Sequence, residues 1–142
     1  MDLDSKIGNF KPEIVVLYCK NCLAKDSGPV GNMVSNSKFS ARLVMLPCSS
    51  KVEASHVLKI LAQGADGVEV VGCPEKQCRF LVGNTRAEKR IEYARQLLGK
   101  INFDMDRLGM DRGENLSLSQ LISLAEKRAN AVMNIGPNLM KG

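Results

Sequence analysis

Apolar residues in this chain fall into three short dense runs and three longer, spaced ones. The dense runs are Ile14-Val15-Val16-Leu17-Tyr18, Leu43-Val44-Met45-Leu46 and Val68-Glu69-Val70-Val71. Apolar residues at consecutive positions, many of them β-branched, predict strands buried on both faces. The first strand covers 13–18, admitted by Pro12. The second covers 41–46 and is closed by Pro47, which cannot donate to a central ladder. The third covers 68–71.

The spaced runs predict helices. Over 52–63 the residues Val52, Ala54, Val57, Leu58, Leu61 and Ala62 recur at helical spacing, and Gly64 supplies a stop. After the capping site Gly83-Asn84-Thr85, the stripe Ala87, Ile91, Ala94, Leu97, Leu98 and Ile101 faces inward, with Glu88, Lys89, Glu92 and Arg95 on the opposite side. A last helix over 117–134 turns Leu118, Leu121, Ile122, Ala125, Ala129 and Val132 to the core, and Gly136-Pro137 ends it. The turn formers of 25–32 leave room only for a short helix over 30–35, and the weak pattern of 104–115 predicts no fourth strand.

Alternating strands and helices specify an α/β fold with an open, mostly parallel sheet. We read 1–11 as an N-terminal lead-in, 12–135 as a single domain and 136–142 as a C-terminal tail. At 142 residues the chain is long enough for one such core. No apolar run approaches the roughly 20 residues of a membrane-spanning helix. The first residues, Met1-Asp2-Leu3-Asp4, are polar and acidic where a secretory signal would be basic and then apolar. A soluble, cytoplasmic chain with no membrane partner is expected. The formal charge of +5 permits nucleic-acid binding, but Trp is absent, aromatics are 4%, and basic residues are interleaved with acidic ones. The expectation is therefore a protein partner rather than nucleic acid.

The chain has five cysteines. Cys19 and Cys22 follow the first strand, Cys48 the second, and Cys73 and Cys78 the third. Five thiols in a reducing compartment point to metal or redox chemistry rather than disulfides. Ligands in open α/β sheets bind at the carboxyl ends of the strands, near the reversal of strand order. With strand order second-first-third, thiols from three ends about 4.8 Å apart could converge on one small inorganic centre. Thiolates suit either zinc or an iron-sulfur cluster. Cys-x2-Cys, a lone Cys and Cys-x4-Cys do not make a standard zinc pattern and leave a fifth thiol over, so iron-sulfur ranks first. A zinc-stabilised binding module stays open, as does a thiol oxidoreductase working through Cys19 and Cys22. Five inert buried cysteines would explain any single position but not the repeated coincidence with strand ends.

Other polar residues carry less. His56, the only histidine, flanks the apolar stripe of 52–63 and reads as a partly exposed helix residue. Arg79 and Lys51 adjoin cysteines and are either tuning charges or solvated loop residues. Arg86, Lys89, Arg90 and Arg95 read as a solvated helix face. No phosphate-binding glycine loop is present.

Five stretches occur in order: Tyr18-Cys19-Lys20-Asn21-Cys22, Leu46-Pro47-Cys48-Ser49-Ser50-Lys51-Val52, Gly64-Ala65-Asp66-Gly67-Val68, Gly72-Cys73-x4-Cys78 and Gly83-Asn84-x2-Ala87-Glu88-Lys89-Arg90. Together they resemble the delta subunit family of methyl-viologen-reducing hydrogenase, over about residues 12 to 100. The resemblance implies a flavodoxin-like fold without flavin and one 2Fe-2S cluster, with four of Cys19, Cys22, Cys48, Cys73 and Cys78 as ligands. It further implies electron transfer between a hydrogenase or other donor and the flavin- and iron-sulfur-containing heterodisulfide reductase A-like subunit. The chain departs from the family pattern at Lys20-Asn21 and after Leu108.

Overall fold

A computed structural model describes residues 11–19, 33–35, 37–46, 53–72, 83–101, 103–113 and 116–138; the side chains of Cys19 and of 83–87 are outside that description. The elements are β1 (Glu13–Cys19), β2 (Met33–Ser35), β3 (Ser40–Leu46), α1 (Ala54–Ala62), β4 (Gly67–Gly72), α2 (Gly83–Lys100), β5 (Leu108–Arg112) and α3 (Leu118–Ile135), with a turn of 3-10 helix at Met105–Arg107. The strands form one sheet in the order β2-β3-β1-β4-β5. β1 pairs in parallel with β3 and β4, and β4 in parallel with β5. β2 alone is antiparallel. The fold class is thus the open, mostly parallel α/β sheet expected.

Side chains of a strand alternate between its two faces, so each dense apolar run supplies both cores. On one face Ile14, Val16, Tyr18, Ala41, Leu43 and Val71 pack against Leu121, Ala125, Ala129 and Val132 of α3. On the other, Leu17, Val68, Val70 and Leu108 pack against Val57 and Leu61 of α1 and Ile91, Ala94 and Leu98 of α2. Each buried aliphatic side chain contributes about 1.5–3 kcal/mol by leaving water. α3 begins with a capping box: Ser117 Oγ accepts from the Gln120 N–H, and the Gln120 side chain accepts from the Ser117 N–H. α1 is followed by Gly64 at φ 109°, in the left-handed region that suits glycine.

Four expectations require correction. Residues 33–35 form the edge strand β2, not the end of a short helix. Residues 108–112 form β5, where no strand was expected. α2 starts at Gly83 itself, so Asn84 and Thr85 lie inside its first turn rather than ahead of it. Ile101 is 66% exposed and does not join the inward stripe, because α2 ends at Lys100. Among the described residues no helix is long and apolar enough to cross a membrane.

Candidate functional site

The carboxyl edge of the sheet is where the cysteine-bearing segments begin. β1 closes on Cys19, whose Cα partner on β3 is Leu46. On its other side β1 pairs Tyr18 with Val71 of β4. Cys48 comes two positions after Leu46, and Cys73 directly follows Gly72, the last residue of β4. The three strands that precede the cysteines stand in the order second-first-third, with β1 in the middle. From β1 the chain passes first to β2 and β3 on one side, then to β4 and β5 on the other. The reversal falls between β1 and β4, the place where doubly wound sheets hold their ligands.

Cys22, Cys48, Cys73 and Cys78 lie outside the described residues, as do Lys51 and Arg79. Among the described residues no group of three His, Cys, Asp or Glu is disposed to hold a metal ion. His56 is exposed on α1, as expected. Of the basic residues of α2, Lys89 is exposed and Arg90 half-buried with a partner, while the side chain of Arg86 is outside the description. Arg95 meets Glu92 at 3.7 Å and Asp106 at 3.5 Å, so it is a local structural link.

A second polar assembly lies beneath this edge. Glu69, in the middle of β4, has no exposed surface. It faces α3, on the same side of the sheet as Asp111 of β5, since Glu69 pairs with Gly109 and Val71 with Asp111. Arg128 of α3 donates from Nε to Glu69 Oε1 at 3.0 Å and from Nη1 to the Asp106 carbonyl at 2.9 Å. Lys127 Nζ donates to Asp111 Oδ1 at 2.9 Å. Burial pushes the Glu69 carboxyl up to about 8, aided by its hydrogen bond to Asp111 and opposed by Arg128. The hydrogen bond from Glu69, with help from Lys127, holds Asp111 below the usual carboxylate range. Thus Glu69 keeps its proton at neutral pH and Asp111 carries the charge. In the sequence Glu69 stands out only as the single charge inside a strand buried on both faces, which obliges it to find a partner.

The opposite, amino edge is closed by Asp66, also without exposed surface. Its Oδ2 accepts from the Glu13 N–H at 2.8 Å and its Oδ1 from the Asn138 N–H at 2.9 Å. The Asn138 side chain donates to the carbonyls of Leu61 and Ala65 at 2.8 and 2.6 Å. Arg107 donates to the carbonyls of Asp66, Gly136 and Pro137. The Gly64-Ala65-Asp66-Gly67 stretch is therefore a structural fastening, far along the sheet from the cysteine segments.

The chain is 32% identical over 130 residues to the D-type iron-sulfur subunit of the vhu F420-non-reducing hydrogenase of Methanocaldococcus jannaschii, a match covering 92% of this chain and 97% of that one. It is 30% identical over 117 residues to the D-type iron-sulfur subunit of the F420-non-reducing hydrogenase of Archaeoglobus profundus, covering 82% and 83%. A relative of another kind is the A-type subunit of the ferredoxin:CoB-CoM heterodisulfide reductase of Methanosarcina mazei, 27% identical over 133 residues, which are 92% of this chain but 17% of that protein. The family model for the methyl-viologen-reducing hydrogenase delta subunit matches residues 14–136, nearly the whole sheet with its helices. The chain accordingly belongs to the methyl-viologen-reducing hydrogenase delta subunit family.

Proposed function

We propose that this chain is an electron-transfer subunit holding one 2Fe-2S cluster on four of Cys19, Cys22, Cys48, Cys73 and Cys78. It relays electrons from a hydrogenase or another donor to the flavin-containing subunit of a heterodisulfide reductase-like complex, or back. The observation that carries this reading is the parallel register: Cys19 ends the strand flanked by the two strands that run into Cys48 and Cys73. Soft thiolate ligands fit an iron-sulfur centre. The words iron-sulfur in the names of the hydrogenase relatives support the same cofactor. The match to one segment of a heterodisulfide reductase chain supports that partner, because there a similar unit shares a polypeptide with the rest of the A-type subunit.

In this reading the chain makes and breaks no substrate bond. A bound cluster supplies one-electron chemistry. The thiolates hold it, and the strand ends fix their spacing. The sheet and its three helices keep the edge rigid and present it to both neighbours. We read 12–135 as the single domain that does this, with Asn138 of the following stretch fastened to it. The soluble, cytoplasmic setting belongs to the same proposal.

Iron, acid-labile sulfide and zinc content, with a visible spectrum, test it on protein prepared without oxygen. About two irons and two sulfides per chain, with absorption that bleaches on reduction, are expected. Single Cys→Ser replacements at the five positions then separate four ligands from one bystander. Zinc without sulfide would overturn the proposal in favour of a structural metal site on a binding module.

A further inference from the structure

The Glu69–Asp111 pair is built in a way that packing alone does not require. Glu69 Oε2 and Asp111 Oδ2 are both buried and receive no N–H or O–H donor from other described residues. The two side chains lie on one face of neighbouring strands and interact through a carboxyl–carboxyl hydrogen bond that raises Glu69 and lowers Asp111. Ionised carboxylates are acceptors only, so two such oxygens can bond only through a proton held between them. Among the described residues the charged and titratable groups facing the pair are Lys127 and Arg128 from α3 and Tyr18 from β1 on the same face. Burial keeps the Tyr18 hydroxyl neutral. The Asp111 side chain is 24% exposed, which gives the shared proton a way to water. From Glu69, β4 continues to Gly72 at the carboxyl edge, about 10 Å along the strand, and Cys73 is the next residue in the sequence.

We infer that this carboxyl pair is a redox-linked proton site, binding its shared proton more tightly when the carboxyl edge of the sheet carries an added electron. The inference rests on the electron-carrier reading above. The electron comes from the one-electron donor that reduces the centre, and the proton comes from water. The only bond that forms is an O–H on the Glu69–Asp111 pair. An added negative charge at the carboxyl edge, about 10 Å away, at an effective dielectric constant of about 20, tightens proton binding roughly tenfold. Proton uptake therefore accompanies reduction only at alkaline pH, between the pair's titration with the centre oxidised and its titration about one pH unit higher with the centre reduced. Below that window the proton is already in place.

Glu69→Gln is the informative variant, because its amide oxygen accepts from Arg128 and its NH2 donates to Asp111, as the protonated acid does. Infrared difference spectra of the full chain should show a carboxylic-acid C=O band that disappears at alkaline pH and is missing from Glu69→Gln, whether or not iron is bound. Redox titrations of the iron-loaded protein should give a potential that is flat near neutral pH and falls with pH over about one unit on the alkaline side. Glu69→Gln should stay flat throughout with its visible spectrum unchanged. Asp111→Asn should move the break to lower pH. A loaded wild-type protein with a flat potential, or a slope that survives in Glu69→Gln, would overturn this inference alone. Absence of the C=O band would remove the shared proton itself. Absence of iron and sulfide would overturn the electron-carrier reading, and this inference with it.

Discussion

A methyl group on Gly109 would overlap Nη2 and Cζ of Arg128, which lies across the backbone there to reach Glu69 on the neighbouring strand. Glycine is needed at this point because the guanidinium takes the space of a side chain. Gly109→Ala should therefore push Arg128 off Glu69 and cost about 1–3 kcal/mol, seen as a lower urea midpoint. Glu69→Ala removes the acceptor from an Arg128 side chain that is 13% exposed, and should be at least about 1–3 kcal/mol less stable than Glu69→Gln, which keeps the bonds of the protonated acid. Equal losses in the two Glu69 variants would refute the protonated assignment. Part of this was legible beforehand: an acid inside Val68-Glu69-Val70-Val71 must be partnered. Its partner was not, because Arg128 is 59 positions away and Gly109 looks like a strand breaker until the guanidinium is placed over it.

Helices α1, α2 and α3 were readable because each buries one stripe, and 3.6-residue spacing records that directly. β1, β3 and β4 were readable as dense apolar runs because parallel central strands are covered on both faces. β5 escaped for a physical reason. Of Leu108-Gly109-Met110-Asp111-Arg112, the glycine makes room for Arg128, Asp111 is consumed by Glu69 and Lys127, and Arg112 pairs with Glu88. Polar partnership across the fold replaces the apolar pattern that marks a strand. β2 escaped because three residues on an edge are too few to show a period. The cysteine edge was legible as a set of strand endings, and the strand order then depended on pairing that no local pattern carries. For α3 the capping box makes a direct test: Ser117→Ala should lower stability by about 1 kcal/mol with the helix otherwise intact, read by urea denaturation and circular dichroism. An unchanged midpoint would mean that the packing of Leu121, Ala125 and Val132 alone fixes where the helix starts.

For the whole molecule, the Glu69–Asp111 pair sets a pH dependence of folding. Glu69 rises from its ordinary 4.5 to about 8 in the fold, so between those values the native state holds a proton that the unfolded chain has lost. Its contribution is complete below about 4.5, declines as pH rises, and is gone above about 8, a change on the order of a few kcal/mol. Asp111 acts in the other direction, adding stability above its unfolded value that disappears as pH falls through its lowered one. Wild-type protein should thus unfold at lower urea concentration at about pH 9 than at about pH 5, and Glu69→Gln should lose most of that difference. An identical fall in both would place its origin elsewhere. The Asp66 fastening has a separate consequence. One carboxylate receives the N–H of Glu13, where the backbone comes in, and that of Asn138, where it leaves. The folded unit is closed like a clasp, with both of its connections at the edge away from the cysteine segments. Such a unit can be spliced into a longer polypeptide without its neighbours in sequence crowding the edge at which β1, β3 and β4 end. It is in effect a cassette, equally usable as a free-standing protein or as one stretch of a larger chain.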